Sequence, residues 1–169
     1  ININVTLMFS VEVYKRIARA YIAGLRRLKE SGGDISRVAS VASFFVSRVD
    51  TKVDKYLEEK GTRAALEARG RAAIANAKMA YAAYQEIFGG DEFADLRAAG
   101  ARVQRCLWAS TSTKNPDYRD VLYVEELIGP QTVNTMPLDT IEAFIDHGQV
   151  ERTLDRGLDD AKQALREVE

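Results

Sequence analysis

An α/β protein with parallel strands is the fold class this sequence predicts, and three observations predict it. Short β-branched or apolar runs are each followed by apolar residues at steps of three and four, and this strand-then-helix succession occurs four times. No Asn-Gly or Asp-Gly pair stands between the strand runs, so nothing signals hairpins. The length, 169 residues, suits about one domain of ordinary size, and no low-complexity linker divides it.

The first strand is Ile1 to Phe9, where Asn2, Asn4 and Thr6 alternate with Ile3, Val5 and Leu7. Ser10 is placed to cap a helix whose apolar face holds Val11, Tyr14, Ile17, Ala18, Tyr21, Ile22, Leu25 and Leu28, and Gly32-Gly33 ends it. Val38 to Val46 is nearly continuous in apolar residues, which predicts a strand covered on both faces. Helix follows from Thr51 to Phe88, alanine-rich in its middle and broken at Gly61 and Gly70, and the alanine stretch is expected on the outside. Glu92–Ala99 predicts a short helix stopped by Gly100, and Val103–Ser110 the third strand. Tyr118–Ile128 predicts a short helix and Gln131–Thr135 a short fourth strand, with Pro137 suited to the first turn of a helix through Ile141–Asp146. Leu154, Leu158, Ala161, Leu165 and Val168 mark a last amphipathic helix, expected to dock on a further part of the parent protein. Two architectures remain open: a four-stranded doubly wound sheet, or half of an eight-stranded barrel, since a whole barrel needs about 250 residues.

Composition excludes several functions. Lys and Arg number 24 against 25 Asp and Glu, a net charge of −1, which does not suit a nucleic-acid coat. Apolar residues make up 46% and charged residues 29%, which describes a packed chain and not a disordered one. No run approaches the ~20 apolar residues of a membrane span. One cysteine, Cys106, forbids an internal disulfide and suits a reducing compartment. The first residues carry no initiator Met, charged segment or cleavage site, so the expectation is a chain cut from something longer.

In either parallel architecture ligands sit at the C-terminal ends of the strands. Those ends offer Asn4 and Thr6, then Ser43 to Arg48, then Ser110 to Asn115, then Asn134 and Thr135. Two cations, several hydroxyls and two amides suit a phosphorylated polyhydroxy ligand. Arg48, Lys114 and Ser110 would take the phosphate; Asn4, Thr6 and Asn134 would take sugar hydroxyls. Each has a plainer reading, as solvated cations or helix-capping hydroxyls, and Asn4 on a strand is the residue the plain reading explains least. No metal site is expected. His147 is the one histidine, placed to cap the end of a helix, and Cys106 has no CxxC partner. Neither GxSxG, GxGxxG nor GxxxxGK[ST] occurs. Trp108, Phe44 and Phe45 read as core or as the rim of a pocket.

Four runs, each on a predicted strand end, resemble the transaldolases. They are Asn4-Val5-Thr6-Leu7-Met8-Phe9-Ser10, Ser43-Phe44-Phe45-Val46-Ser47-Arg48-Val49-Asp50, Leu107-Trp108-Ala109-Ser110-Thr111-Ser112-Thr113-Lys114-Asn115-Pro116 and Thr132-Val133-Asn134-Thr135-Met136-Pro137. The likeness is greatest to the bacterial branch with WAST-x-TKNP and TVNTMP motifs. It implies a (β/α)8 TIM-barrel fold of which residues 1–169 are the C-terminal half, strands five to eight plus the C-terminal helices, as one domain fragment. It also implies a cytoplasmic transferase of the pentose phosphate pathway, needing no cofactor and no metal, that moves a dihydroxyacetone unit between sugar phosphates. Sedoheptulose 7-phosphate, fructose 6-phosphate, glyceraldehyde 3-phosphate and erythrose 4-phosphate are the implied substrates. Nucleic acid and membrane are not implied partners; the missing half or a second copy is. The family's Schiff-base lysine would lie upstream of Ile1, so the chain alone is expected to be inactive. Carried over, Asn4 would hold a hydroxyl of the dihydroxyacetone unit and Thr6 would help position the catalytic water. Ser43 and Phe45 would line the pocket, and Arg48, Ser110 and Lys114 would grip phosphate. Many relatives have Ser-Pro-Phe-Val-Gly-Arg where Ser43 to Arg48 stand here, and arginine where Lys114 stands. Lys114, in a polar loop, is not expected to be the nucleophile. The competing reading is a non-enzymatic α/β module that binds a sugar phosphate or a protein.

Overall fold

The computed structural model describes residues 2–168. The chain runs β1 (Asn2–Met8), α1 (Val11–Glu30), a 3-10 turn (Ile35–Arg37), β2 (Ala39–Phe45), α2 (Ser47–Lys60), α3 (Arg63–Glu67) and α4 (Ala72–Gly89). It continues through α5 (Asp91–Ala98), β3 (Gln104–Ala109), α6 (Leu122–Glu126), β4 (Thr132–Asn134), α7 (Leu138–His147) and α8 (Leu158–Val168). The strands pair in chain order, β1-β2-β3-β4, and every pair is parallel. Ile1, assigned to the first strand from sequence, lies outside the described residues.

Register decides which side chains meet the helices. Residues paired across a parallel ladder point the same way, so Ala42 and Cys106 share a face with Phe44 and Trp108. That face is the covered one: these four pack with Tyr14, Ala18, Ile22 and Leu25 of α1 and with Ala73, Ala77 and Tyr81 of α4 in one core. Asn4, Val41, Ser43, Phe45, Leu107 and Ala109 occupy the other face, outside that core. Helices on a single face exclude the doubly wound sheet, which needs them on both, and leave the half-barrel. The expectation that Val38–Val46 is packed on both faces is corrected for the same reason.

Local signals place most boundaries. The Ser10 hydroxyl accepts from the Val13 amide at 3.4 Å, capping α1 as its position predicted. Gly61 and Gly70 adopt φ of +63° and +72°, a conformation that costs a residue with a Cβ, and the long helical region breaks at both. α2 begins at Ser47 and not at Thr51, because the Val46 and Ser47 amides still bond the Ala109 and Ser110 carbonyls as the helix starts. The predicted Tyr118–Ile128 helix contracts to α6, since Tyr118 is held sideways by Asp54. Pro137 stands one position earlier than expected, as the residue before α7.

Two expectations about the outer layer are corrected. The alanine helix α4 is enclosed on both sides, by the sheet and by α8, whose Ala161 and Ala164 pack on Ala75. Small side chains on both helices let the axes approach closely. The last helix thus docks within this chain. Leu154 lies ahead of that helix and fills the core beside Gly129, where an added Cβ would stand 2.6 Å from a Leu154 methyl. Cys106 is fully enclosed and its thiol donates to the Tyr14 hydroxyl at 3.6 Å; burial pushes the thiol up to about 12.

Candidate active site

Alternation along β1 puts Asn4 on the uncovered face, where its neighbour across the ladder is Val41. Ser43, two residues further along β2, is buried and its hydroxyl donates to the Asn4 side-chain oxygen at 2.7 Å. That bond supplies the partner a buried hydroxyl requires and fixes the amide's orientation. Thr6 comes two residues after Asn4 and is exposed. The register then shifts between Val5 and Met8, where Leu7 takes φ of +63°. A bulge at a strand end turns the chain and re-aims the residues beyond it; here Phe9 comes to rest against Phe45, ring centroids 5.5 Å apart.

The ends of β2 and β3 carry two further contacts. Phe45 shares the face of Ser43, and the Arg48 guanidinium lies 4.9 Å from the Phe45 ring centroid. Arg48 sits in the first turn of α2 and is exposed, so the ring holds the cation in place without removing it from ligands. Ser47 is buried beside it, and its hydroxyl lies 2.9 Å from that of Ser110. Ser110 holds φ of +58°, a left-handed conformation rare outside glycine and asparagine. Strained backbone of this kind persists where surrounding contacts impose it. Lys114, on the loop after β3, is exposed and donates to the Ser112 hydroxyl at 2.9 Å.

Three separate contacts, Asn4–Ser43, Phe45–Arg48 and Ser47–Ser110, thus lie on or after β1, β2 and β3, and Thr6 comes two residues beyond Asn4. Lys114 takes part in none of these contacts. It lines a separate hollow of about 390 Å³ with Asp120, Pro137, Asp139 and Thr140. A larger hollow, about 580 Å³, opens over the starts of the strands and touches Asn4, Ser40, Val41, Arg102, Arg105 and Gln131. It is the uncovered side of the sheet toward the strand starts, and Asn4, part-way along β1, borders it while also bonding Ser43.

Several expectations change. Asn134 does not face a ligand: it pairs with Trp108 in the ladder, and its oxygen takes the hydroxyl of fully buried Thr111 at 2.7 Å. Of Ser110, Thr111 and Ser112, Thr111 is thereby occupied, Ser110 meets Ser47, and Ser112 lines the separate hollow with Lys114. Trp108 and Phe44 belong to the core, edge to face at 6.3 Å, so Phe45 alone of the three rings reaches the site. His147 caps no carbonyl; its ring nitrogens meet Asp120 at 2.8 Å and Asp146 at 3.1 Å, and the Asp120 bond, then the Asp146 bond, raises its pKa. Lys78, within the alanine stretch expected on the outside, is buried and donates to Glu126 at 3.0 Å. Among the described residues no three His, Cys, Asp or Glu side chains gather as a metal would need, and no helix is long and apolar enough to cross a membrane.

Asp50, the last residue of the second strand-end run, and Asp54 have no role in the sequence pattern. Both are buried. Asp50 accepts from the Ala73 amide at 2.7 Å and the Tyr123 hydroxyl at 2.8 Å; Asp54 accepts from the Gly70 amide at 2.9 Å and the Tyr118 hydroxyl at 2.7 Å. Burial pushes the Asp50 carboxyl up to about 6, against the pull of its two hydrogen bonds. The spacing of four residues on α2, with polar residues on an inward face, was the signal available.

Comparison with known proteins agrees with the strand-end runs. A transaldolase of Mycolicibacterium smegmatis is 59% identical over 150 residues, 89% of this chain and 40% of that protein. One of Mycolicibacterium paratuberculosis is 60% identical over 151 residues, again 89% and 40%, and one of Mycobacterium tuberculosis 55% over 152 residues, 89% and 41%. The chain spans about 40% of the length of these curated relatives. Residues 1–169 match the family described as transaldolase/fructose-6-phosphate aldolase from end to end. A one-sided parallel α/β layer whose strand-end runs resemble the transaldolases, and whose full length matches that family, establishes that this chain belongs to the transaldolase/fructose-6-phosphate aldolase family.

Proposed function

We propose that residues 1–169 form the C-terminal half of a transaldolase barrel, strands five to eight, and hold the sugar phosphate while a lysine outside this chain does the covalent work. The observation that supports this reading is the set of three contacts Asn4–Ser43, Phe45–Arg48 and Ser47–Ser110 along and after three neighbouring strands. Asn4 holds a hydroxyl of the dihydroxyacetone unit, and Thr6 helps place the water that shuttles protons. Ser43 and Phe45 shape the wall. Arg48 and Ser110 take the phosphate, and Lys114 swings in from its loop as a second cation. The ligands are sugar phosphates: fructose 6-phosphate and sedoheptulose 7-phosphate as donors, glyceraldehyde 3-phosphate and erythrose 4-phosphate as acceptors. β1 and β4, each paired on one side only, are the edges on which the remaining strands add. A lone buried thiol suits the cytoplasm, where these metabolites occur.

Calorimetric titration of the chain with fructose 6-phosphate and with fructose tests the reading. The phosphorylated sugar is expected to bind and fructose to bind far more weakly, with Arg48→Ala removing the difference. Equal binding of the two sugars overturns the reading. The chain alone is expected to transfer no dihydroxyacetone, and turnover above a Lys114→Ala control contradicts the placement of the nucleophile elsewhere. Borohydride trapping of the parent protein with a ketose phosphate gives a covalent adduct for the enzyme and none for a non-enzymatic binding module.

A further inference from the structure

The segment that carries Lys114 is fastened to α2 at both ends. At its start, Ser110 meets Ser47, the first residue of that helix. At its far end, Tyr118 and Tyr123 direct their hydroxyls at Asp54 and Asp50, one turn apart on the same helix. The Tyr118 ring has a close seat as well, since a Cβ on Gly70 would come within 2.9 Å of it. The carboxylates are held from behind by the Gly70 and Ala73 amides, so neither is free to follow a moving tyrosine. Arg48 stands on the first turn of this helix. The helix is therefore a common base for both cations of the proposed phosphate site, although they are not in contact with each other.

We propose that Asp50 and Asp54, through Tyr123 and Tyr118, are positioning residues that fasten the base of the Lys114 loop to α2, the helix that carries Arg48, so that Lys114 swings toward a phosphate held by Arg48 from a fixed base. This rests on the phosphate-binding reading above. Neither carboxylate touches ligand. Each accepts one amide and one phenol hydrogen, and a charge-assisted bond of this kind is stronger and more directional than a neutral one. Removing a phenol hydroxyl leaves the carboxylate one donor short in a buried place and frees the loop at that end. Phosphate binding should then lose the Lys114 contribution while keeping that of Arg48.

The test is a double-mutant cycle on the 169-residue chain, with inorganic phosphate as the probe and amide hydrogen exchange of residues 111–117 as a second readout. Tyr118→Phe is expected to raise exchange in that segment and to weaken phosphate binding about two- to fivefold, the scale of one exposed ion pair lost. Lys114→Ala is expected to weaken binding in the natural background and to have no further effect in Tyr118→Phe. Tyr123→Phe, which removes the hydroxyl at the second anchor on Asp50, must give the same pattern, so the outcome does not hang on one variant's folding. Additive effects of the two substitutions, or unchanged exchange at 111–117, overturn the positioning role while leaving the phosphate site intact. A natural chain that does not bind phosphate overturns the underlying reading, and this role with it.

Discussion

The Ser47 hydroxyl lies 2.9 Å from the Ser110 hydroxyl, a side-chain contact that ties the start of α2 to the end of β3 across 63 residues of sequence. Backbone bonds from Val46 and Ser47 to Ala109 and Ser110 run alongside it. Ser110 thus has two separable functions, a left-handed backbone and a hydroxyl.

Substitution separates them. A non-glycine residue in the left-handed region costs roughly 1–2 kcal/mol, and the hydroxyl contact contributes about 1 kcal/mol. Ser110→Gly exchanges one for the other and is expected to leave urea unfolding within about 0.5 kcal/mol of the natural chain. Ser110→Ala loses the bond without relieving the backbone and is expected to be about 1 kcal/mol less stable. Both should weaken binding of fructose 6-phosphate.

Arg48→Lys keeps a positive charge but surrenders the planar fork, and an ammonium stacks less well on the Phe45 ring. A cation over an exposed ring is worth about 0.5–1 kcal/mol, so titration should show a roughly two- to fivefold weaker complex from that loss alone. Phe45→Leu should show a similar loss with Arg48 unchanged, and a variant that binds as tightly as the natural chain would mean the ring does not orient the guanidinium.

Asp50 carries a pH dependence of definite sign. Its folded carboxyl sits at about 6, above the unfolded value near 3.8, so the folded state holds its proton longer. Folding therefore loses stability as pH rises from about 4 through about 6, and no further above that. Asp50→Asn has no proton to lose. Urea unfolding at about pH 4.5 and about pH 7.5, on either side of the folded value, is expected to show the variant gaining on the natural chain as pH rises; a constant difference would place the titration elsewhere.

His147 has a dependence of the same sign in a higher window. Bonds to Asp120 and Asp146 raise its folded pKa above 6.5, so its stabilisation is complete below that value and disappears as pH climbs through the raised one. His147→Gln should be less stable than the natural chain at about pH 5.5 and equal to it at about pH 9. Proton NMR of the single imidazole reads the midpoint directly.

Short-range pattern accounts for much of this architecture. The alternation of Asn2 to Leu7, the cap at Ser10 and the breaks at Gly61 and Gly70 are properties of neighbouring residues, and each predicted its element. Strand-end runs likewise nominate Asn4, Ser43, Phe45, Arg48 and Ser110 as candidates. The features that stayed hidden depend on partners far along the chain. Asp50 is buried because Tyr123, 73 residues on, supplies a hydroxyl, and Asp54 because Tyr118, 64 residues on, does the same. Continuous apolar residues from Val38 to Val46 cannot tell one packed face from two; only the ladder with β3 assigns Phe44 to the core and Phe45 to the open side. Alanines 72 to 83 advertise helix but not that α8 will lie on them.

The enclosure of Cys106 behind α1 gives the protein a built-in clock. With a single thiol in the sequence, sealed against Tyr14, a soluble disulfide reagent finds nothing to react with in the native state. Colour development with such a reagent then counts the openings that part α1 from β3, and ligands or substitutions that slow the count reveal how firmly they keep those two layers shut.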